Sequence, residues 1–191
     1  MIDKALFNRI TDRIDSYREA MIDLQIGLCS HPAVGPENGG DGELQKAHYL
    51  EKRLAEMGFK HFQHYDARDE RVSSKIRPNF FTTIDGRNKS RFIWIITHLD
   101  IVPPGEIKLW TRDPYCAYVK DGRIFGRGTE DNQQEMVASI FAAKALLDEG
   151  LTPANCIGLG FVADEETSGQ KGLYHVLDVN KNLFGSDDLI I

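Results

Sequence analysis

Phe92-Ile93-Trp94-Ile95-Ile96-Thr97-His98-Leu99-Asp100 decides how this chain is read. Its apolar run is continuous, without the alternation of a half-exposed strand. It therefore predicts a strand buried on both faces, as in a mostly parallel sheet. A second run, Cys156 to Ala163, predicts another buried strand, and Asp164-Glu165-Glu166 follows it at once. Between them Gly126-Arg127-Gly128-Thr129-Glu130-Asp131-Asn132 leads into a helix. In open α/β sheets the loops at the carboxyl ends of strands converge on a crevice, and these three sites belong to such loops or to a helix start.

Working outward, the spacing predicts a helix from about Asn132 to Asp148, with Met136, Ile140, Ala143 and Leu147 in one row, stopped by Gly150. Residues 59–65 and 79–84 read as strands, with a turn at Asp85-Gly86-Arg87. Tyr115–Val119 and Arg123–Phe125 flank Lys120-Asp121-Gly122, a hairpin signal. Leu6, Ile10, Ile14, Tyr17, Met21, Leu24 and Leu28 recur at steps of three and four, which predicts one amphipathic helix over about Asp3 to Leu28. Residues 29–42 form a loop rich in Pro, Gly and Asn, and a second helix runs from about Glu43 to Met57 with Gly58 closing it. Gly172 to Asp178 is a short helix, and Leu189-Ile190-Ile191 starts a strand. The expected architecture is α/β: three αβα layers around a mostly parallel mixed sheet. No repeat, low-complexity segment or linker divides the 191 residues.

At 41% apolar and 27% charged residues the composition is that of a globular domain long enough to bury a core. A net charge of -6 with no basic run argues against nucleic acid or an anionic membrane as partner. No apolar stretch approaches a membrane span, and the N-terminus lacks a signal peptide's apolar segment. Cys29, Cys116 and Cys156 are far apart and odd in number, so reduced thiols in a cytoplasmic protein are expected.

His98 and Asp100 stand two apart past a buried strand. An imidazole there is a metal-ligand candidate, and a carboxylate two residues on can accept the other ring N–H and fix its direction. The plain alternative is a polar loop. Asp131 reads either as an N-cap, with Gln134 completing a capping-box-like pair, or as a carboxylate able to bridge two cations. Glu165 and Glu166 are adjacent carboxylates directly after an apolar strand, expensive unless something positive compensates. One could bind metal while the other serves as general base; otherwise they belong to a solvated acidic loop.

The order His98-Leu99-Asp100-Ile101-Val102-Pro103, Trp110 with Asp113-Pro114, Asp121 through Asn132, then Asp164-Glu165-Glu166-Thr167-Ser168-Gly169 with Gly172 resembles the co-catalytic zinc amidohydrolase and exopeptidase family. That family includes acetylornithine deacetylase, succinyl-diaminopimelate desuccinylase, aminoacylase and glutamate carboxypeptidase. The likeness runs over nearly the whole chain, including the opening helix and the loop around Pro32-Ala33-Val34-Gly35-Pro36-Glu37-Asn38. It implies a phosphorylase/hydrolase-like zinc-peptidase catalytic domain with two zinc ions, cobalt being an alternative. It implies His98 on one metal, Asp100 orienting it, and Asp131 bridging both metals with a cis peptide to Asn132. Glu165 would be the general base and Glu166 a ligand of the second metal.

Two four-coordinate zincs sharing Asp131 and a water need about five protein ligands, and this chain supplies three. The resemblance places the other two beyond Ile191, along with a lid and dimerisation domain. Residues 1–191 are thus expected to be the N-terminal part of a catalytic domain, to bind metal weakly alone and to show little or no activity alone. His31, His48, His61, His64 and His175 are read as surface or core residues. The expected whole protein is a homodimeric hydrolase of a small N-acyl amino acid, of deacetylase or desuccinylase type, or of a C-terminal peptide bond. The alternative is a non-catalytic metal-binding or assembly module derived from such an enzyme. A serine or cysteine hydrolase lacks a G-x-S-x-G elbow, and a nucleotide-binding protein lacks a phosphate loop.

Overall fold

The structure, a computed structural model, describes residues 3–191. In chain order its elements are α1 (Lys4–Ser16), α2 (Arg18–Cys29), α3 (Leu44–Glu56), β1 (Gln63–His64), β2 (Ala67–Arg68), β3 (Ile76–Arg77), β4 (Phe80–Ile84) and β5 (Asn88–His98). After them come β6 (Tyr118–Lys120), β7 (Arg123–Phe125), α4 (Gln134–Asp148), β8 (Asn155–Val162), α5 (Leu173–Val179) and β9 (Leu189–Ile190). The main sheet has the strand order β1-β4-β8-β5-β9. β5 and β8 run parallel at its centre, from Phe92 opposite Cys156 to His98 opposite Val162. Their carboxyl ends therefore finish level, which brings His98 and the Asp164-Glu165-Glu166 loop to one rim.

The fold is α/β with a mixed sheet, as the two buried runs predict. The parallel share is half: β5 with β8 and β5 with β9 are parallel, whereas β1 with β4 and β4 with β8 are antiparallel. β4 turns directly into β5 through Asp85-Gly86-Arg87 and then pairs with β8, which reverses its direction relative to the central pair.

The sheet is covered on both faces. On one, Leu24, Leu28, Leu50, Leu54, Met136, Ile140 and Phe141 pack with Phe80, Leu159 and Phe161. On the other, Phe81, Trp94 and Val162 meet Val176 of α5. Gly158 and Gly160 leave room for two rings on that face: a Cβ at either would lie 2.0 Å from Trp94 or 2.4 Å from Phe81. Each large ring buried this way contributes about 1.5–3 kcal/mol of apolar transfer.

The first helix is broken where periodicity predicts continuity. Tyr17 leaves the helical region (φ -88°, ψ 1°), ending α1 and starting α2. Its ring lies against Phe141 and its hydroxyl donates to Asp148 Oδ2 at 2.5 Å, so contacts with α4 override the local preference. The strand expected at 59–65 shrinks to Gln63–His64, because His61 takes a positive φ of 60° that no strand accommodates. The expected hairpin forms, but its first strand covers Tyr118–Lys120 in place of Tyr115–Val119, and Asp121 and Gly122, both at positive φ, make the two-residue turn suited to strand twist. β9 borders only β5, and Leu189, Ile190 and Ile191 are exposed at this edge.

Candidate metal centre

Three ligand atoms, one each from His98, Asp131 and Glu166, lie within 4.8 Å of one another. His98 ends β5 and is buried; Asp131 precedes α4 and its side chain is 73% exposed; Glu166 is half-buried. His98 Nε2 stands 3.1 Å from Asp131 Oδ1 and 3.8 Å from Glu165 Oε2, whose side chain is 60% exposed. The structure thus brings the four residues to one place.

Asp131 is not a helix cap. It lies in a wide turn, Thr129–Gln133, where Asp131 and Asn132 depart from helical angles and their peptide bond is cis. Its carboxylate caps no backbone N–H; it faces His98. Asp100 also does more than orient a ring. The nearest acceptor for His98 Nδ1 is the Asp100 carbonyl oxygen at 3.0 Å, with the Asp100 carboxylate at 3.5 Å. That carboxylate instead accepts the backbone N–H groups of Glu165 and Glu166, at 3.1 and 3.0 Å. It ties the His98 loop to the Glu165-Glu166 loop.

Asp164, which sequence alone could place in a solvated acidic run, is fully buried. Its φ of 62° turns the chain sharply after β8, a conformation Asp tolerates better than most residues. Its oxygens accept from Thr167 Oγ1, Ser168 Oγ and the Lys171 N–H at 2.5, 2.7 and 2.9 Å. Burial alone would raise its pKa, but these donors and the Arg77 charge hold it below the usual carboxylate range. The pairing of Asp164 with Thr167 and Ser168, three and four residues on, was a signal available in the sequence.

Behind the loops lies a buried ionic cluster that no motif announced. Arg77, with no exposed surface, donates from Nε to Glu43 Oε2 at 2.6 Å, and from Nη2 to the other oxygen of the same carboxylate. Its guanidinium is 3.5 Å from Asp69 and 3.7 Å from Asp164. Lys46, also buried, donates to the Leu99 carbonyl at 2.9 Å, and burial draws its pKa down to about 8.

The front cluster is electrostatically different. Among the described residues, the ion pairs of Asp131 and Glu165 are made by His98, and no Lys or Arg lies within 4 Å of either or of Glu166. Burial pushes the Glu166 carboxyl up, and the neighbouring Asp131 charge adds to the shift. Burial would lower the His98 pKa, but Asp100 and then Glu165 raise it to about 9. One imidazole nitrogen and several carboxylate oxygens, close together and short of positive charge, are the donor set of a divalent cation. His98, Asp131 and Glu166 therefore fit such a group on chemistry and spacing.

The sequence pattern of peptidase family M20/M25/M40 matches residues 94–190, which contain this whole cluster. The chain belongs to that family. An uncharacterized metallohydrolase of Methanocaldococcus jannaschii is 38% identical over 179 residues, covering 91% of this chain and 43% of the relative. A succinyl-diaminopimelate desuccinylase of Cereibacter sphaeroides is 33% identical over 155 residues, 81% of this chain and 37% of that enzyme. The fold matches human carnosine dipeptidase 1 with a TM-score of 0.80 at 18% identity, over 97% of this chain and 41% of that one. This M20-family chain spans less than half the length of the curated relatives it matches.

The remaining histidines of this family member do not join the cluster. His31 pairs with the Gly27 carbonyl at 2.8 Å and stacks on Tyr49, and His64 pairs with Glu51. A cavity of about 180 Å³ opens beside the cluster, with Ile96, Val162 and Leu173 as apolar wall and His98, Asn132 and Glu165 as polar wall. A larger groove, about 620 Å³, lies between α1, α2, the β6–β7 hairpin and α4 and includes none of the five expected site residues. All three cysteines are free, and no helix of the described residues is long and apolar enough to cross a membrane.

Proposed function

We propose that residues 1–191 are the N-terminal part of the catalytic domain of a two-metal hydrolase acting on the amide bond of a small N-acyl amino acid. A deacetylase or desuccinylase reaction is the leading form, with removal of a C-terminal residue from a peptide as the other form of the same chemistry. The observation that carries the reading is the meeting of His98, Asp131 and Glu166 within 4.8 Å, with no protein cation other than His98 beside them among the described residues. Membership of the family and the likeness to a desuccinylase support the reaction class.

In this reading His98, Asp131 and Glu166 would hold metal, zinc or in its place cobalt. The metal supplies Lewis acidity toward the scissile carbonyl and toward a water. Asp100 keeps His98 in place through its carbonyl and holds the Glu165 and Glu166 backbone through its carboxylate. Glu165 is exposed and 3.8 Å from His98, placed to reach solvent at the cluster. It takes a proton as the water oxygen bonds to the amide carbon. It returns that proton to the leaving nitrogen as the C–N bond breaks, releasing a carboxylic acid and an amine, between which the acid proton passes to give carboxylate and ammonium. The apolar wall of the 180 Å³ cavity suits a small uncharged portion of the substrate. Two further metal ligands, a lid domain and a homodimer in the cytoplasm belong to the same proposal, and rest on the resemblance and the free thiols.

The test is an assay of the intact protein against N-succinyl and N-acetyl amino acids and dipeptides, before and after chelation and with zinc or cobalt restored. Activity should vanish with the chelator and return with metal. Glu165→Ala should lower kcat by at least about 10²-fold, the usual worth of a general base, while metal content is kept. A chelator-insensitive activity would overturn the reading. Full metal occupancy with no hydrolysis of any of these substrates would favour a metal-binding or assembly module instead.

A further inference from the structure

Glu43 and Lys46 stand three residues apart at the start of α3, so they lie on one side of the same helical turn. Both are buried, and neither belongs to the metal cluster. Charged side chains are almost never fully buried unless paired, and an apolar residue would fill either place at lower cost. Their partners explain their presence. Lys46 Nζ donates to the carbonyl of Leu99, the residue between His98 and Asp100. Glu43 holds Arg77, whose Nη2 lies 3.7 Å from Asp164, the residue that turns the chain into Glu165 and Glu166. As the N-cap residue, Glu43 makes no side-chain capping bond, so its carboxylate is free for this task.

We propose that Glu43 and Lys46 are positioning residues, through which one turn of α3 sets the spacing between the loop carrying His98 and the loop carrying Glu165 and Glu166. Lys46 fixes the backbone from which Asp100 reaches the Glu165 and Glu166 amides. Glu43, through Arg77, fixes the other side of the same junction. Groups that orient metal ligands in this way typically change metal affinity 10- to 100-fold when removed. The consequence for metal rests on the function proposed above; the consequence for the loops does not.

The experiment compares the intact wild-type protein with Lys46→Met, which keeps volume and removes the donor, and with Glu43→Gln, which keeps shape, removes the charge and leaves one acceptor for Arg77 in place of two. Amide hydrogen exchange and Co(II) titration with visible absorption are measured on each. Lys46→Met should exchange the Glu165 and Glu166 amides at least about tenfold faster while the amides of β4 and β8 keep their protection. It should also bind Co(II) about tenfold more weakly with an altered absorption band. Wild-type exchange at those two amides, or a uniform loss of protection across the sheet, would overturn the proposal, the latter assigning both residues to general stability. If Lys46→Met does not fold, Glu43→Gln gives the same two outcomes. If wild-type protein takes up no Co(II) while the local exchange effect is present, the metal reading fails and the positioning stands.

Discussion

Two clusters of ionisable residues share one end of this sheet, and they are built on opposite plans. The rear cluster, Glu43, Asp69, Arg77 and Asp164, is buried, and its carboxylates are answered by Arg77, by Arg71, which donates twice to Asp69 at 2.8 and 2.7 Å, and by the hydroxyl and amide donors on Asp164. The front cluster, His98, Asp131, Glu165 and Glu166, is partly open, and its only protein cation among the described residues is an imidazolium. Burying a charge is tolerated when it is paired, and each rear carboxylate has its own protein donors as folded. The front cluster is left with negative charge at short range, the condition under which an added divalent cation is favoured. The difference separates scaffold from site more sharply than burial or cavity size does.

Arg77→Met would break the rear cluster most severely. It leaves Glu43, Asp69 and Asp164 without their shared partner and should cost about 3–5 kcal/mol of unfolding free energy, read by denaturant titration. A loss below about 1 kcal/mol would mean that the carboxylates do not depend on it. Asp100→Asn should act on the junction between the clusters. It weakens the acceptor for the Glu165 and Glu166 amides and should reduce metal affinity by about 10- to 100-fold, measured by competition with a chelating dye.

Acid should treat the two clusters differently. Asp164 has a lowered pKa, so its stabilising effect is fully present above the usual carboxylate range and is lost as pH falls below that range toward its folded value. In front, His98 at about 9 keeps its proton at neutral pH, and a metal must displace it. Below that pH, apparent metal affinity should fall by about tenfold per unit, with about one proton released per site. Calorimetry in buffers of different ionisation enthalpy reads that proton, and zero release at pH 7 would contradict the assignment of His98 Nε2 to metal. The smallest effect is expected from Glu166→Gln in metal-free protein. Its carboxyl is pushed up by burial, so removing the charge should leave stability unchanged or raise it by about 0.5 kcal/mol after solvent screening, while metal binding is lost.

The front cluster was legible in sequence because each member follows a strong local signal. His98 and Glu166 come just after continuous apolar runs, and Asp131 comes after glycines that open a helix. Parallel pairing of β5 with β8 then aligned the ends of those runs. The rear cluster was not legible. Glu43, Asp69 and Arg77 are ordinary charged residues at distant positions, and only tertiary pairing makes them interior. Lys46 lies four and eight residues before Leu50 and Leu54, on the inward face of α3, but its partner, the Leu99 carbonyl, comes from a distant loop that no local spacing reveals. The break at Tyr17 and the reversal of β4 also arise from packing partners far along the chain, Phe141 and Asp148 for the one and β8 for the other. The N-cap alternative for Asp131 rested on its capping-box-like spacing to Gln134, and it drops out because the backbone there leaves the helical region.

Co(II) titration of the intact protein beside its Asp131→Asn variant tests most directly whether the front cluster is a metal centre. Asp131 is exposed and caps nothing, so the substitution should leave the fold and melting temperature unchanged while abolishing at least one equivalent of bound cobalt. Identical isotherms for the two proteins would contradict the account.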